Sequence, residues 1–259
     1  MWKRRMYIPS KWNNAIASYP ESDMRGSSPA EVVVLKSNED TYYLKSVDAK
    51  YSPTTYSAKR EKGVMQWLSG KLMVPKVIDF GFEDNREYVV MSECKGTYID
   101  ALKIDPEGYV AHLVKCIKLL HSVDISNCPF DSSLTVRLEE LDYLLQNGLA
   151  STDGWNPTTK FTDPNEFYQW LRDHKPQEEE LVFSHGDLTA NIFVDGSDYY
   201  FYDLGRAGKA DKWLDIAFCA DDIRTWCKDE RYVNQFFELL NLEPDFAKME
   251  YFMLLDEMF

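Results

Sequence analysis

The chain has 259 residues, enough to bury a sizeable core as one large domain or as two modest lobes around a cleft. Forty-three acidic against twenty-nine basic residues leave a formal charge of −14. That balance argues against DNA, RNA or an anionic membrane surface as partner; a negative field would gather cations, but solubility is the commoner reason for an acidic surface. No run of about eighteen apolar residues occurs, and none follows the basic stretch Met1-Trp2-Lys3-Arg4-Arg5, so neither a membrane span nor a secretory signal is expected. Cys94, Cys116, Cys128, Cys219 and Cys227 are scattered without a C-x-x-C pair and read as reduced thiols of a cytoplasmic protein.

In chain order, Glu31–Lys36 and Thr41–Val47 read as the two strands of a hairpin across the polar turn Ser37-Asn38-Glu39-Asp40. Thr55–Leu68 has a helical pattern that stops at Gly70. Val77–Phe82 and Tyr88–Met91 give two more strands about Glu83-Asp84-Asn85. Beyond them helices dominate. Val110, Leu113, Val114, Ile117 and Leu120 form one apolar face, and further helices are predicted over Leu134–Gln146, Pro164–Asp173, Trp213–Trp226, Tyr232–Leu240 and Phe246–Glu257. A hairpin interrupts them: Ile192-Phe193-Val194 and Tyr199–Asp203 flank Asp195-Gly196, a strong turn signal. The predicted class is α+β, with a small β-rich lobe over residues 1–95 and a larger helical lobe over residues 96–259.

That hairpin gives meaning to His185-Gly186-Asp187, Asn191 and Asp203-Leu204-Gly205-Arg206. Its strands return the chain, so that Asp203 is expected beside Asp187 and Asn191. Two carboxylates and an amide carbonyl form a hard-oxygen set suited to Mg²⁺, which usually shares its coordination with substrate phosphates. Phosphoryl transfer needs such a set, with one carboxylate to accept the proton of the attacking hydroxyl and the other groups to hold the metal. Upstream, Lys45 ends a strand and Glu61 lies on the next helix, the pairing that presents a lysine to the phosphates of ATP in kinases. Tyr43 shares the strand face of Lys45 and could stack on a base or be an ordinary core tyrosine.

Ser184–Leu188, Asn191-Ile192-Phe193 and the block Asp203–Trp213 resemble the aminoglycoside 3′-phosphotransferase family, which has the two-lobed protein-kinase-like fold. Tyr43-Leu44-Lys45, Arg60-Glu61-Lys62, Val74-Pro75-Lys76-Val77, His121–Ile125 and Leu254–Phe259 agree with it, and the similarity runs from about Arg25 to Phe259. The resemblance implies Asp187 as the catalytic carboxylate, Asn191 and Asp203 as magnesium ligands, and Lys45 with Glu61 at the ATP phosphates. It further implies Tyr43 stacked on adenine, backbone groups of Ser92 and Cys94 at the adenine edge, and Ser27 and Ser28 in the turn over the phosphates. Arg206, Glu257 and the carboxylate of Phe259 would lie at the pocket for a cationic aminoglycoside. A monomer or weak dimer acting without nucleic acid or membrane is expected.

Two departures mark this chain. The family has four residues between the catalytic Asp and the metal-binding Asn, whereas here only Leu188, Thr189 and Ala190 intervene, so the loop is expected to re-form with Asn191 still on the metal. The insert Ser151–Lys160, acid-rich in the family, contributes only Asp153. Another hydroxyl acceptor, or a nucleotide-binding homologue with impaired catalysis, therefore remains open beside the aminoglycoside reading.

Overall fold

The computed structural model describes residues 6–20, 28–37, 40–152, 155–156, 159–189 and 191–259. The chain divides into two compact units, Met1–Lys95 with Tyr200–Gly205, and Gly96–Tyr199 with Arg206–Phe259. Strands dominate the first and helices the second, the α+β arrangement anticipated from the pattern.

The first unit is built on β1 (Ile16–Ser18), β2 (Glu31–Ser37), β3 (Asp40–Asp48), α1 (Ala58–Leu68), β4 (Val77–Glu83) and β5 (Arg86–Ser92). The strands form one antiparallel sheet in the order β1-β2-β3-β5-β4. Period-two alternation sends Val33, Leu35, Leu44, Tyr88 and Val90 into a core that Met6, Tyr7, Ile8 and Trp12 help to cover. On β3 this leaves Tyr43 and Lys45 for the opposite face, toward which α1 supplies Glu61. Helix α1 starts three residues later than its pattern suggested, because the Ser57 hydroxyl caps it by accepting the Arg60 N–H at 3.3 Å. Asp84 and Asn85 turn the β4–β5 hairpin with positive φ values of 51° and 59°, which these residue types tolerate.

The second unit begins with β6 (Thr97–Tyr98), α2 (Pro106–His121), α3 (Leu134–Gln146) and α4 (Pro164–Asp173). It continues with β7 (Leu181–Ser184), β8 (Ile192–Asp195), β9 (Asp198–Phe201), β10 (Gly208–Asp211), α5 (Trp213–Cys227), α6 (Glu230–Leu240) and α7 (Phe246–Asp256). The predicted hairpin is β8–β9, with Gly196 at φ 61°, and along β9 the chain passes into the segment grouped with the first unit. Strand β7 pairs antiparallel with β10 and delivers the chain to His185. Residues 213–220 of α5 are all buried, and the helix packs on α2, α6 and α7, so an acid in that stretch must be explained by a partner. Among the described residues no helix is long and apolar enough to cross a membrane.

Candidate active site

On the first unit, Lys45 Nζ lies 2.8 Å from Glu61 Oε2 and 2.5 Å from Asp203 Oδ1. Burial alone would lower the Lys45 ammonium, but Asp203 and Glu61 outweigh it and hold the group above its ordinary value. Burial pushes the Glu61 carboxyl up, Lys45 draws it back, and the net direction stays upward. Lys45 is therefore a fixed cation at neutral pH. The structure thus brings together three residues that the sequence placed far apart.

Helix α1 also grips the turn that follows Asp203. Glu61 accepts the Leu204 backbone N–H, and Arg60 Nε donates to the Gly205 carbonyl at 2.9 Å. These anchors hold Asp203 at φ 56°, a left-handed conformation that costs a non-glycine residue about 1–3 kcal/mol unless its surroundings impose it. A β-carbon at Gly205 would fall 2.5 Å from the Thr55 carbonyl oxygen, so this turn needs glycine. Replacing Lys45 by Ala leaves Glu61 buried without its cation and is expected to cost about 3–5 kcal/mol. The Lys45→Ala/Glu61→Gln pair should recover part of that loss, which urea unfolding curves will show.

The remaining first-unit candidates have plainer surroundings. Tyr43 is half-buried, and its phenol is raised by burial and then by Glu93 and Cys94. Burial, with Glu93, pushes the Cys94 thiol up to about 12, so it is protonated and unreactive at neutral pH. Ser92 donates its N–H to the Lys76 carbonyl at 2.9 Å, and its hydroxyl accepts the Lys76 N–H at 2.9 Å. Both bonds tie Ser92 to Lys76, which directly precedes β4. Ser28 is exposed, with its hydroxyl accepting the Ala30 N–H at 3.2 Å, and Ser27 lies outside the described residues.

On the second unit, the segment His185-Gly186-Asp187 is suspended from a residue that the pattern did not reveal. The fully buried Asp215 of α5 accepts the His185 N–H and the Gly186 N–H, each at 3.0 Å. Burial would raise this carboxyl, but His121, 3.5 Å away, together with His185 and its backbone N–H, holds it below its ordinary value. An ionised acid inside α5 thus fixes the backbone just before Asp187. Gly186 has φ 79°, and a β-carbon there would come 2.7 Å from the Arg206 carbonyl oxygen. Beyond Asp187, the buried Leu188 accepts the Cys219 thiol at 3.4 Å, and Asn191 Nδ2 donates to the Asp187 carbonyl at 2.9 Å. That bond commits the amide nitrogen to the loop and leaves Asn191 Oδ1 as the hard donor atom. An amide oxygen of this kind is chemically suited to a magnesium ion that shares its coordination with phosphates. Among the described residues no three His, Cys, Asp or Glu side chains form a self-sufficient metal cage.

A second cluster on this unit surrounds Arg206. Its Nη1 is 2.5 Å from Asp256 Oδ1, its carbonyl accepts the Ser132 hydroxyl at 2.9 Å, and its guanidinium lies 5.6 Å from the Phe259 ring centre. Glu257 Oε2 is buried with no hydrogen-bond partner among the described residues. Such an oxygen is costly unless a donor arrives. In the sequence, nothing about Asp256, an acid at a helix end, announces this partner.

Residues 24–252 match the model of the phosphotransferase enzyme family. An aminoglycoside 3′-phosphotransferase of Campylobacter jejuni is 50% identical over 236 residues, covering 90% of this chain and 94% of that protein. The crystal structure of an aminoglycoside-3′-phosphotransferase of type VIII superposes with a TM-score of 0.81 at 21% identity, covering 96% of this chain and 95% of the other. Aminoglycoside phosphotransferase APH(3″)-Id of Streptomyces rimosus, in complex with ADP and streptomycin, does so with a TM-score of 0.71 at 24% identity, covering 90% of this chain and 94% of the other.

Proposed function

Because the chain belongs to the aminoglycoside 3′-phosphotransferase family, we propose that it transfers the γ-phosphoryl group of ATP to the 3′-hydroxyl of kanamycin- or neomycin-like aminoglycosides. The observation that carries this reading is the Lys45 ammonium, buried yet kept charged by Glu61 and Asp203. A cation so held is suited to the α- and β-phosphates of a nucleotide. Asn191 Oδ1 and Asp203 would hold Mg²⁺, which when bound would neutralise charge on the phosphate oxygens. Asp187 orients the attacking hydroxyl and accepts its proton as the new P–O bond forms. The bond from the γ-phosphorus to the bridging oxygen breaks and ADP leaves. Glu257, whose buried Oε2 has no donor among the described residues, meets an ammonium of the acceptor, and Arg206 and Phe259, which lie beside each other, complete the pocket. The cytoplasm, where ATP and Mg²⁺ are at hand, is the proposed site of action.

Expression in a sensitive bacterium should raise its kanamycin resistance, and the purified protein should release ADP only when an aminoglycoside is present. No ADP release with any of a dozen aminoglycosides would overturn the reading. A second reading keeps the chemistry and changes the acceptor to another alcohol. It is favoured by the acid-poor insert, in which Trp155 packs edge-on against Phe167 at 5.2 Å. Sugars and amino alcohols added to the same acceptor panel separate the two. Stabilisation by ATP and Mg²⁺ without turnover of any acceptor would identify an impaired homologue.

A further inference from the structure

Arg137 on α3 is 5% exposed, a degree of burial that a guanidinium tolerates only with partners. Its Nη1 is 3.0 Å from Glu140 Oε2, one turn along the same helix, and its guanidinium lies over the Phe259 ring with 3.6 Å to the ring centre. The same ring is faced by the Arg206 guanidinium at 5.6 Å. Each cation has its own carboxylate, Glu140 for Arg137 and Asp256 for Arg206, so two neutralised guanidiniums share one aromatic side chain. The backbone of Arg206 in turn abuts Gly186, the residue before Asp187. A line of packed groups therefore runs from α3 through Phe259 and Arg206 to the segment that carries Asp187.

We propose that Arg137 is a positioning residue for the acceptor: by stacking on Phe259 it fixes the chain beyond α7, and with it the orientation of Glu257 and Arg206. The inference rests on the acceptor reading given above, since Glu257 and Arg206 are the groups an aminoglycoside would meet. The chemistry requires arginine, because its planar, weakly hydrated cation stacks on a ring where a lysine ammonium remains a point charge. Were the Arg137–Glu140 pair only a brace within α3, removal of the Phe259 ring would cost the same whether or not Arg137 was present.

The test compares full-length wild type with Arg137→Ala, Arg137→Lys, Phe259→Leu and the Arg137→Ala/Phe259→Leu double variant, using kanamycin and ATP as varied substrates. Arg137→Ala and Phe259→Leu should each raise the kanamycin KM by about five- to ten-fold, while kcat and the ATP KM stay within about two-fold. Arg137→Lys should raise the kanamycin KM by about three-fold despite keeping the charge, which keeps the test open should Arg137→Ala fail to fold. The double variant should be no worse than the poorer single one. A wild-type kanamycin KM in Arg137→Lys, a rise shared equally by the ATP KM, or additive effects in the double variant would each overturn the inference. If wild type turns over no aminoglycoside, the acceptor reading fails and this inference falls with it. If wild type is active and the Arg137 variants match it, only the inference fails.

Discussion

Replacing Asp187 by Asn should lower kcat with kanamycin by about 10²–10⁴-fold, the contribution typical of a positioned general base. The variant keeps the side-chain volume and removes only the capacity to take a proton. The loop has main-chain anchors that this substitution leaves in place. Asp215 grips the backbone of His185 and Gly186, and Asn191 is bound to the Asp187 main-chain carbonyl, which any residue supplies. Folding stability should therefore stay within about 0.5 kcal/mol of wild type. The KM for ATP should change little, because Lys45 and Glu61 are untouched. Steady-state kinetics with an ADP-release readout, alongside a thermal melt, separates the two effects. A kcat within a few-fold of wild type would remove Asp187 from the chemistry. A collapsed melt would show that its carboxylate braces the loop instead.

The elements most legible in the sequence are those whose signals are local. Helix α4 begins at Pro164 after Asp163, whose carboxylate accepts the Asn165 and Glu166 N–H groups, and Asp105 before Pro106 caps α2 in the same way. The Asp195-Gly196 pair marked its hairpin because a tight turn wants glycine at positive φ. The Lys45–Glu61 pairing was also accessible, since strand alternation and one helix suffice to suggest it. Strands β7 and β10 carry no such local signal: each is four residues long, and Gly208-Lys209-Ala210-Asp211 has no alternation to announce a strand. Its polar members are held by distant partners, among them Lys248, which lies 2.7 Å from Asp211. Arg137 was hidden likewise. On α3 it reads as one more charged residue of an amphipathic helix, and only the fold lays it over Phe259. Capping and alternation act over a few residues, so they leave a trace in the order of residues; a contact made by tertiary packing does not.

Asp215 is the extreme case, and removing it should have the largest effect on stability of any single change in the second unit. It sits thirty residues from His185, among the buried apolar side chains in the first half of α5, yet it is the acceptor for two consecutive backbone donors. Asp215→Ala would leave the buried His185 N–H without its acceptor, at a cost of about 1–3 kcal/mol, and the Gly186 N–H with only the Ser184 hydroxyl at 3.1 Å. A total loss of about 2–4 kcal/mol is expected in urea unfolding. Asp215→Asn, which keeps one carbonyl oxygen, should lose about half as much. Activity should fall further than stability alone predicts, because a displacement of about 1 Å at the neighbouring Asp187 can cost about 10² in rate. The pH dependence supplies an independent check. The Asp215 carboxyl is held below its ordinary value of about 3.9 in the folded protein, so its contribution is complete above that value. It is lost as the pH falls through the lower, folded value, where the native carboxylate takes up its proton. Unfolding midpoints at pH 7, 5, 4 and 3 should therefore converge for wild type and Asp215→Asn toward the acid end, and stay separated above pH 5. A constant separation across the whole range would mean that the carboxylate charge contributes nothing, and that shape alone holds the loop before Asp187.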